Sequence, residues 1–337
     1  AELKTLTEKL TADLANGGVR PVVASVRRDG AVISAVVELR LANPRNPPQR
    51  TIQILERVKP AVLFSTNDAE NPFGSTLVLS SENEGMVWLD ALPRGQIGAP
   101  ALTRGIDPAY VMFTSGSTGE PKGAVIPHQG VLSLMRWSRG LCDPHASRFS
   151  NINPLHFDNS VFDLYCGLLN GATLVPVETG LITNPAQWVR RLREGCANVI
   201  FAVPTLFQTL AQLKLLKPEN LPDARLFVFG GEGFPVAALR AFRERFDGHA
   251  RLLNVYGPTE TSCICSSLPI DQTALDSAQG TFPSLGRMHE DFSYAILDDN
   301  GNDVPPGAVG ELWIGGGKVG LGYFANPEET ERRFRQD

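Results

Sequence analysis

Residues 114–123, TSGSTGEPKG, place four hydroxyl side chains, three glycines and one lysine within ten positions, directly after the apolar run YVMF at 110–113. Glycine lets the backbone take positive φ and approach a ligand closely. Hydroxyls and free N–H groups then face inward, and a lysine adds a point charge suited to phosphate. Such a composition describes a polyphosphate cradle. It is not the common G-x-x-x-x-G-K-[ST] loop, which runs straight into a helix. Here Pro121 has no N–H to donate, and Ala124-Val125-Ile126-Pro127 reads as a second short strand, so the loop is expected to join two strands.

The elements that would hold such a ligand are most legible between residues 184 and 262. Asn184 can cap a helix with Pro185 at its first position and Gly195 at its end. Val199-Ile200-Phe201-Ala202, Leu226-Phe227-Val228-Phe229 and the run 251–255 read as buried strands, and helices are expected over 205–216 and 235–246. Continuous apolar strands alternating with helices predict a parallel sheet covered on both faces. Ligands in such sheets lie beyond the carboxyl ends of the strands. Those ends are Val203-Pro204-Thr205, Gly230-Gly231-Glu232 and Tyr256-Gly257-Pro258-Thr259-Glu260-Thr261, which are therefore expected to face one cleft.

The first hundred residues read as further α/β structure, with strands at 22–26 and 61–64, a helix over 48–58, and an amphipathic helix carrying Leu3, Leu6, Leu10 and Leu14. From about residue 282 short strands alternate with Gly/Pro turns, at 293–297 and 310–315, which suits a small antiparallel, barrel-like unit. The fold class expected is α/β: two mostly parallel sheets flanked by helices in a layered core over 1–281, and a small distorted β-barrel subdomain over 282–337. At 337 residues the chain has a length prior of about two domains.

A formal net charge of −5 argues against a nucleic-acid-binding surface but leaves room for a local anion site. No apolar run approaches the roughly 18 residues of a membrane helix. The five cysteines, Cys142, Cys166, Cys196, Cys263 and Cys265, show no paired metal-ligand spacing, although Cys263-Ile264-Cys265 would put two thiols on one face of an extended segment. Free thiols in a reducing cytoplasm are the economical reading.

Three further blocks follow the hydroxyl-rich loop: FDNSVFDLY at 157–165, NVYGPTETS at 254–262 and GELWIGGGKVGLGYFANPEET at 310–330. In order and spacing the four blocks resemble the adenylate-forming superfamily, most closely the amino-acid adenylation domains of nonribosomal peptide synthetases, with D-alanine–carrier-protein ligases as near neighbours. LANPRNPPQR at 41–50 is similar to a further family segment. The resemblance implies that ATP activates a carboxylic acid at its α-phosphorus with loss of pyrophosphate, and that the acyl group then passes to a carrier protein's phosphopantetheine thiol. Such chemistry needs positioning and charge neutralisation more than a nucleophilic side chain.

The resemblance further implies roles. Thr114, Ser115, Gly116, Ser117, Thr118, Gly119 and Lys122 would wrap the β- and γ-phosphates. Tyr256 would stack on adenine, Asn254 would bond its exocyclic amine, and Gly231, Glu232 and Gly257 would complete the nucleotide site. Thr259 would contact the α-phosphate and Glu260 would hold Mg²⁺, a hard cation that favours carboxylate and phosphate oxygens. Asp158 would pair with the substrate's α-ammonium. Asn159, Phe162, Phe201, Val228, Gly230, Val255, Cys263 and Ile264 would line a side-chain pocket, with the two phenylalanines shrinking it and Gly230 leaving room. An uncharged, small or aliphatic amino acid is the substrate so implied.

Each residue has a plainer reading. Tyr256 serves as a turn residue before Gly257-Pro258, Glu260 as a solvated carboxylate at a helix start, Asp158 as the N-cap of a short helix, and the pocket residues as core. His156 reads as a packing or hydrogen-bonding residue rather than a general base, and His128 as a helix start. The family's ribose-binding Asp, hinge, C-terminal lid and catalytic Lys have no counterpart by Asp337, so the chain is expected to be a lidless core, poorly competent alone. Two alternatives stay open: an acyl- or aryl-CoA ligase on the same scaffold, and a catalytically silent binding module.

Overall fold

In the computed structural model the described residues are 102–115, 121–177, 184–278 and 280–335, with 21–24, 36–38, 53–54, 57–58, 62–65 and 77–80. The expected leucine-patterned helix at the start of the chain and the segment 41–50 lie outside them; of the helix over 48–58, Gln53, Ile54, Arg57 and Val58 are helical. The chain divides into two compact units, Ala1–His128 with Leu321–Asp337, and Gln129–Gly320. The boundary expected at residue 282 falls within the second.

The first unit contains β1 (Pro21–Ala24), β2 (Val36–Glu38), β3 (Val62–Ser65) and β4 (Leu77–Ser80) in the order β2-β1-β3-β4. β1 is antiparallel to both β2 and β3, and β3 and β4 are parallel. Among the described residues this sheet is mixed, with one parallel and two antiparallel pairs, within the α/β class expected. Among the described residues the unbroken alternation of parallel strands with helices lies in the second unit. β5 (Pro108–Ser115) and β6 (Pro121–Pro127) form the antiparallel pair expected on either side of the hydroxyl-rich loop. The tail adds an outer edge to it: Leu321 N–H donates to Val125 O at 2.8 Å and Phe324 N–H to Gly123 O at 2.7 Å.

In the second unit α1 (His128–Arg139), begun at His128 as expected, precedes β7 (Arg148–Asn151), the one-turn α2 (Asn159–Val161) and β8 (Thr173–Pro176). Then come α3 (Pro185–Glu194), β9 (Val199–Ala202), α4 (Pro204–Gln212), β10 (Leu226–Phe229), α5 (Val236–Arg245) and β11 (Arg251–Tyr256). β12 (Ser266–Pro269), α6 (Gln272–Asp276) and β13 (Arg287–Met288) complete a seven-stranded sheet, ordered β13-β12-β11-β10-β9-β7-β8. Its pairs are parallel from β11 through β8 and antiparallel at the β11–β12–β13 edge.

Asn184 caps α3 by accepting from Gln187 N–H at 3.3 Å. Gly195 ends that helix for lack of space rather than for conformation, because a Cβ there would lie 2.3 Å from Val175 Cγ1, and the left-handed residue is Cys196 at φ 51°. Every residue of β9 and β10 is buried, as expected of strands covered on both faces. Phe227 packs its ring 5.6 Å from that of Phe207 on α4 and 5.0 Å from that of Phe242 on α5. Beyond residue 282, β14 (Ser293–Leu297) and β15 (Glu311–Gly315) pair antiparallel as a two-stranded sheet. α7 (Pro327–Arg333) belongs to the first unit. Among the described residues no helix is long and apolar enough to cross a membrane.

Candidate functional site

The carboxyl ends of β9 and β10 are stitched together by their own turn residues. Glu232, after β10, accepts from the Thr205 N–H at 3.2 Å and the Thr205 hydroxyl at 2.8 Å, which sets a carboxylate at the positive N-terminus of α4. Gly231 takes the left-handed region at φ 84°, and a Cβ on it would sit 3.8 Å from both Asn159 Nδ2 and Val203 Cγ1. The β10 turn therefore comes up beside α2. Gly257 is demanded by close approach, since a Cβ there would lie 2.4 Å from the Cys263 carbonyl oxygen.

Gly230 behaves differently from expectation. A Cβ on it would meet the Val255 carbonyl oxygen at 2.5 Å and Val255 Cγ2 at 2.8 Å. Its missing side chain permits strand contact with β11 and opens no pocket volume.

Asp158 makes no capping hydrogen bond to α2. Its Oδ2 instead accepts from the Thr259 hydroxyl at 2.8 Å, across the sheet edge. Burial, opposed by the Thr259 hydrogen bond and aided by the neighbouring Glu260 charge, pushes the Asp158 carboxyl up to about 6. Thr259 and Glu260 lie on the 3₁₀ turn Thr259–Thr261 directly after β11, where Thr261 Oγ1 donates to Pro258 O at 2.8 Å. Tyr256 is half-buried, and burial raises its phenol. Asn254 is buried on β11 with its amide 3.5 Å from Ser284 O.

Two consecutive non-glycine residues close this turn in left-handed backbone, Ser262 at φ 60° and Cys263 at φ 77°. Such pairs are held only where the surroundings over-determine them. The extended Cys263-Ile264-Cys265 segment expected from the sequence is accordingly not formed. The surroundings are a glycine-rich loop: Gly320 N–H donates to Glu260 O at 2.6 Å and Ser262 Oγ to Lys318 O at 3.4 Å. The Lys318 ammonium pairs with Asp291 and donates to Ser133 Oγ of α1 at 2.6 Å, which pins that loop.

Of the expected pocket residues, Phe162, Phe201, Val228, Val255, Cys263 and Ile264 are buried, and the Phe162 and Phe201 rings meet edge-on at 5.2 Å. α2 runs on into a π turn, Phe162–Gly167, which buries Asp163 completely. Asp163 accepts from the Asn153 N–H at 3.3 Å and the Asn153 amide at 3.1 Å, and that amide also reaches Phe201 O at 3.0 Å. Its carboxyl is held well above the usual range by burial. Sequence reading placed Thr205 at the cleft but missed Asp163, Asn153 and Lys318. The signal for Asp163 was a second carboxylate five residues after Asp158, the offset of a π turn. His156 packs against Phe157 with ring centroids 4.5 Å apart and the planes tilted by 43°.

Gly116, Ser117, Thr118 and Gly119 lie outside the described residues, as does the Ser115 side chain. In the first unit Thr114 Oγ1 donates to Lys122 O at 3.4 Å, and the nearly buried Lys122 ammonium pairs with Glu329 of α7. Glu329 also takes hydrogen bonds from Arg332 at 2.7 Å and Arg333 at 3.4 Å, and it is lowered to about 2 by Arg332 first and Lys122 next. Lys122 thus already carries a carboxylate partner that the sequence did not announce.

No group of three His, Cys, Asp or Glu side chains among the described residues is placed to hold a metal on its own.

The profile of the AMP-binding enzyme family matches residues 30–324. A D-alanine–D-alanyl carrier protein ligase of Bacillus velezensis is 30% identical over 99% of this chain and 67% of its own length. The phosphinothricin tripeptide synthetase PhsC of Streptomyces viridochromogenes is 31% identical over 100% of this chain and 30% of its own. Among solved structures, the nonribosomal peptide synthetase FmoA3 superposes with a TM-score of 0.72 in its AMPPNP-bound form, at 28% identity, over 86% of this chain and 30% of that one. The chain therefore spans only a part of these larger proteins.

Proposed function

The chain belongs to the AMP-binding enzyme family, close to nonribosomal peptide synthetase adenylation domains and carrier-protein ligases, and from that premise we propose that it activates an amino acid with ATP. The products are an aminoacyl-adenylate and pyrophosphate, with the acyl group destined for a carrier protein's phosphopantetheine thiol. The observation that carries the amino-acid class is Asp158: a carboxylate drawn out of water near buried apolar side chains, whose side-chain hydrogen bond goes to Thr259. A buried carboxylate without a cation is costly, and an α-ammonium is the cation that a free amino acid brings.

In this reading Asp158 anchors the ammonium while Phe162, Phe201, Val228, Val255, Cys263 and Ile264 receive an uncharged side chain. Tyr256 and the Gly231 and Gly257 turns accept the adenosine, with Asn254 and Glu232 at its edge. Thr259 donates to the α-phosphate, and Lys122 with the hydroxyl-rich loop serves the outer phosphates. Glu260 would hold Mg²⁺, which supplies charge neutralisation at the phosphate oxygens when bound. The protein's own part is to orient the two reactants and to aim donors where negative charge gathers.

Calorimetric titration of this chain with aminoacyl sulfamoyl adenosines tests the proposal directly. Mimics carrying alanine, valine, leucine or proline should bind, and those carrying lysine or aspartate should not. Asp158→Ala should weaken the best of them about 10- to 100-fold, the worth of a hydrogen bond to a charged group. Unchanged affinity in that variant would favour a CoA ligase, which has no ammonium to hold.

A further inference from the structure

The turn after β11 carries three hydroxyls, and two of them are committed to backbone: Thr261 Oγ1 to Pro258 O at 2.8 Å and Ser262 Oγ to Lys318 O at 3.4 Å. Thr259 is the exception, since its hydroxyl donates to a side chain, Asp158 Oδ2, at 2.8 Å. A hydroxyl has one proton and can donate it once. Thr259 cannot serve Asp158 and a phosphate oxygen together.

We propose that the Thr259 hydroxyl couples the two substrate sites. Its proton goes to Asp158 when both sites are empty, and to the nucleotide's α-phosphate once an amino acid's ammonium has taken over that carboxylate. The inference rests on the adenylation reading above. An ammonium on Asp158 weakens that carboxylate as an acceptor for Thr259, and a phosphate draws the same hydroxyl away, so either ligand loosens the bond that the other acts against. Each ligand therefore tightens the other by the same factor, as linkage requires. For a hydrogen bond to a charged acceptor that factor is about 10- to 100-fold. The direct attraction between bound ammonium and phosphate adds to the coupling but does not pass through Thr259, so a variant separates the two contributions.

The test is a thermodynamic cycle by calorimetry at mildly alkaline pH, where Asp158 is ionised. The nucleotide probe is AMP, and the amino-acid probe is whichever of alanine, valine, leucine or proline binds best. Each probe is titrated with and without saturating amounts of the other. Wild type and Thr259→Ser should show the coupling equally from both directions. Thr259→Val, which keeps the shape and removes the donor, should lower the coupling about tenfold or more, beyond any loss of AMP affinity itself. Thr259→Ala removes the same donor with less demand on packing and should behave alike.

Coupling of wild-type size in both Val and Ala variants would overturn the inference and leave the adenylation reading intact. So would wild-type protein that binds both probes independently. Failure of wild type to bind either probe would instead remove the adenylation reading, and the inference with it.

Discussion

The Asp158 carboxyl is worth following through its titration, because burial sets it at about 6 against an unfolded value of 3.8. The folded protein then binds this proton more tightly than the unfolded chain does. Stabilisation by that proton is fully present below about 3.8 and is lost as the pH rises through about 6. At neutral pH the empty protein carries a partly desolvated charge. Asp158→Asn should therefore raise the unfolding free energy near pH 7 by on the order of 1–2 kcal/mol, after allowance for solvent access. The gain should vanish near pH 4, and denaturant unfolding at the two pH values is the measurement. Amino-acid affinity has the opposite use for the charge and should fall as the pH drops through about 6. Much of this residue was legible in FDNSVFDLY. What the sequence left open was cap against ligand, because an Asp before a short helix suits both; a sequence does not show that the side chain turns to Thr259.

At the scale of elements, the loop after β15 holds the turn after β11 in place. Residues 315–320 are GGGKVG, a stretch with little conformational preference of its own. Lys318 supplies its one long anchor, reaching Ser133 and Asp291, while Gly320 and the Lys318 carbonyl grip Glu260 and Ser262. Lys318→Met should loosen the Glu260 backbone and weaken the apparent Mg²⁺ affinity in ATP binding by about tenfold, a size typical of lost supporting contacts. Amino-acid affinity should hold, which separates the effect from general unfolding. Strands β9 and β10 were plain in the sequence because burial on both faces writes an unbroken apolar run. The π turn and the antiparallel β12–β13 edge were not. Neither has a period that hydrophobicity can display, and Gly230 looked like space because a sequence cannot show that Val255 stands against it.

For the whole molecule, the second unit draws its stability from aromatic rings packed between sheet and helices. Phe227 is wholly buried among Phe207, Phe242 and Phe246. Phe227→Ala should cost about 3–5 kcal/mol in equilibrium unfolding by urea, the usual price of emptying an aromatic site. The division into two units was not legible, since the first is assembled from distant stretches of chain. That assembly has a consequence for biosynthesis. The outer edge of the β5–β6 hairpin is laid down by Leu321 and Phe324. A ribosome must therefore emit the entire second unit before the first can be finished, and the portion translated later matures earlier. Until then the nascent amino-terminal half waits with an open strand edge, which makes it the stretch that chaperones would have most reason to shelter.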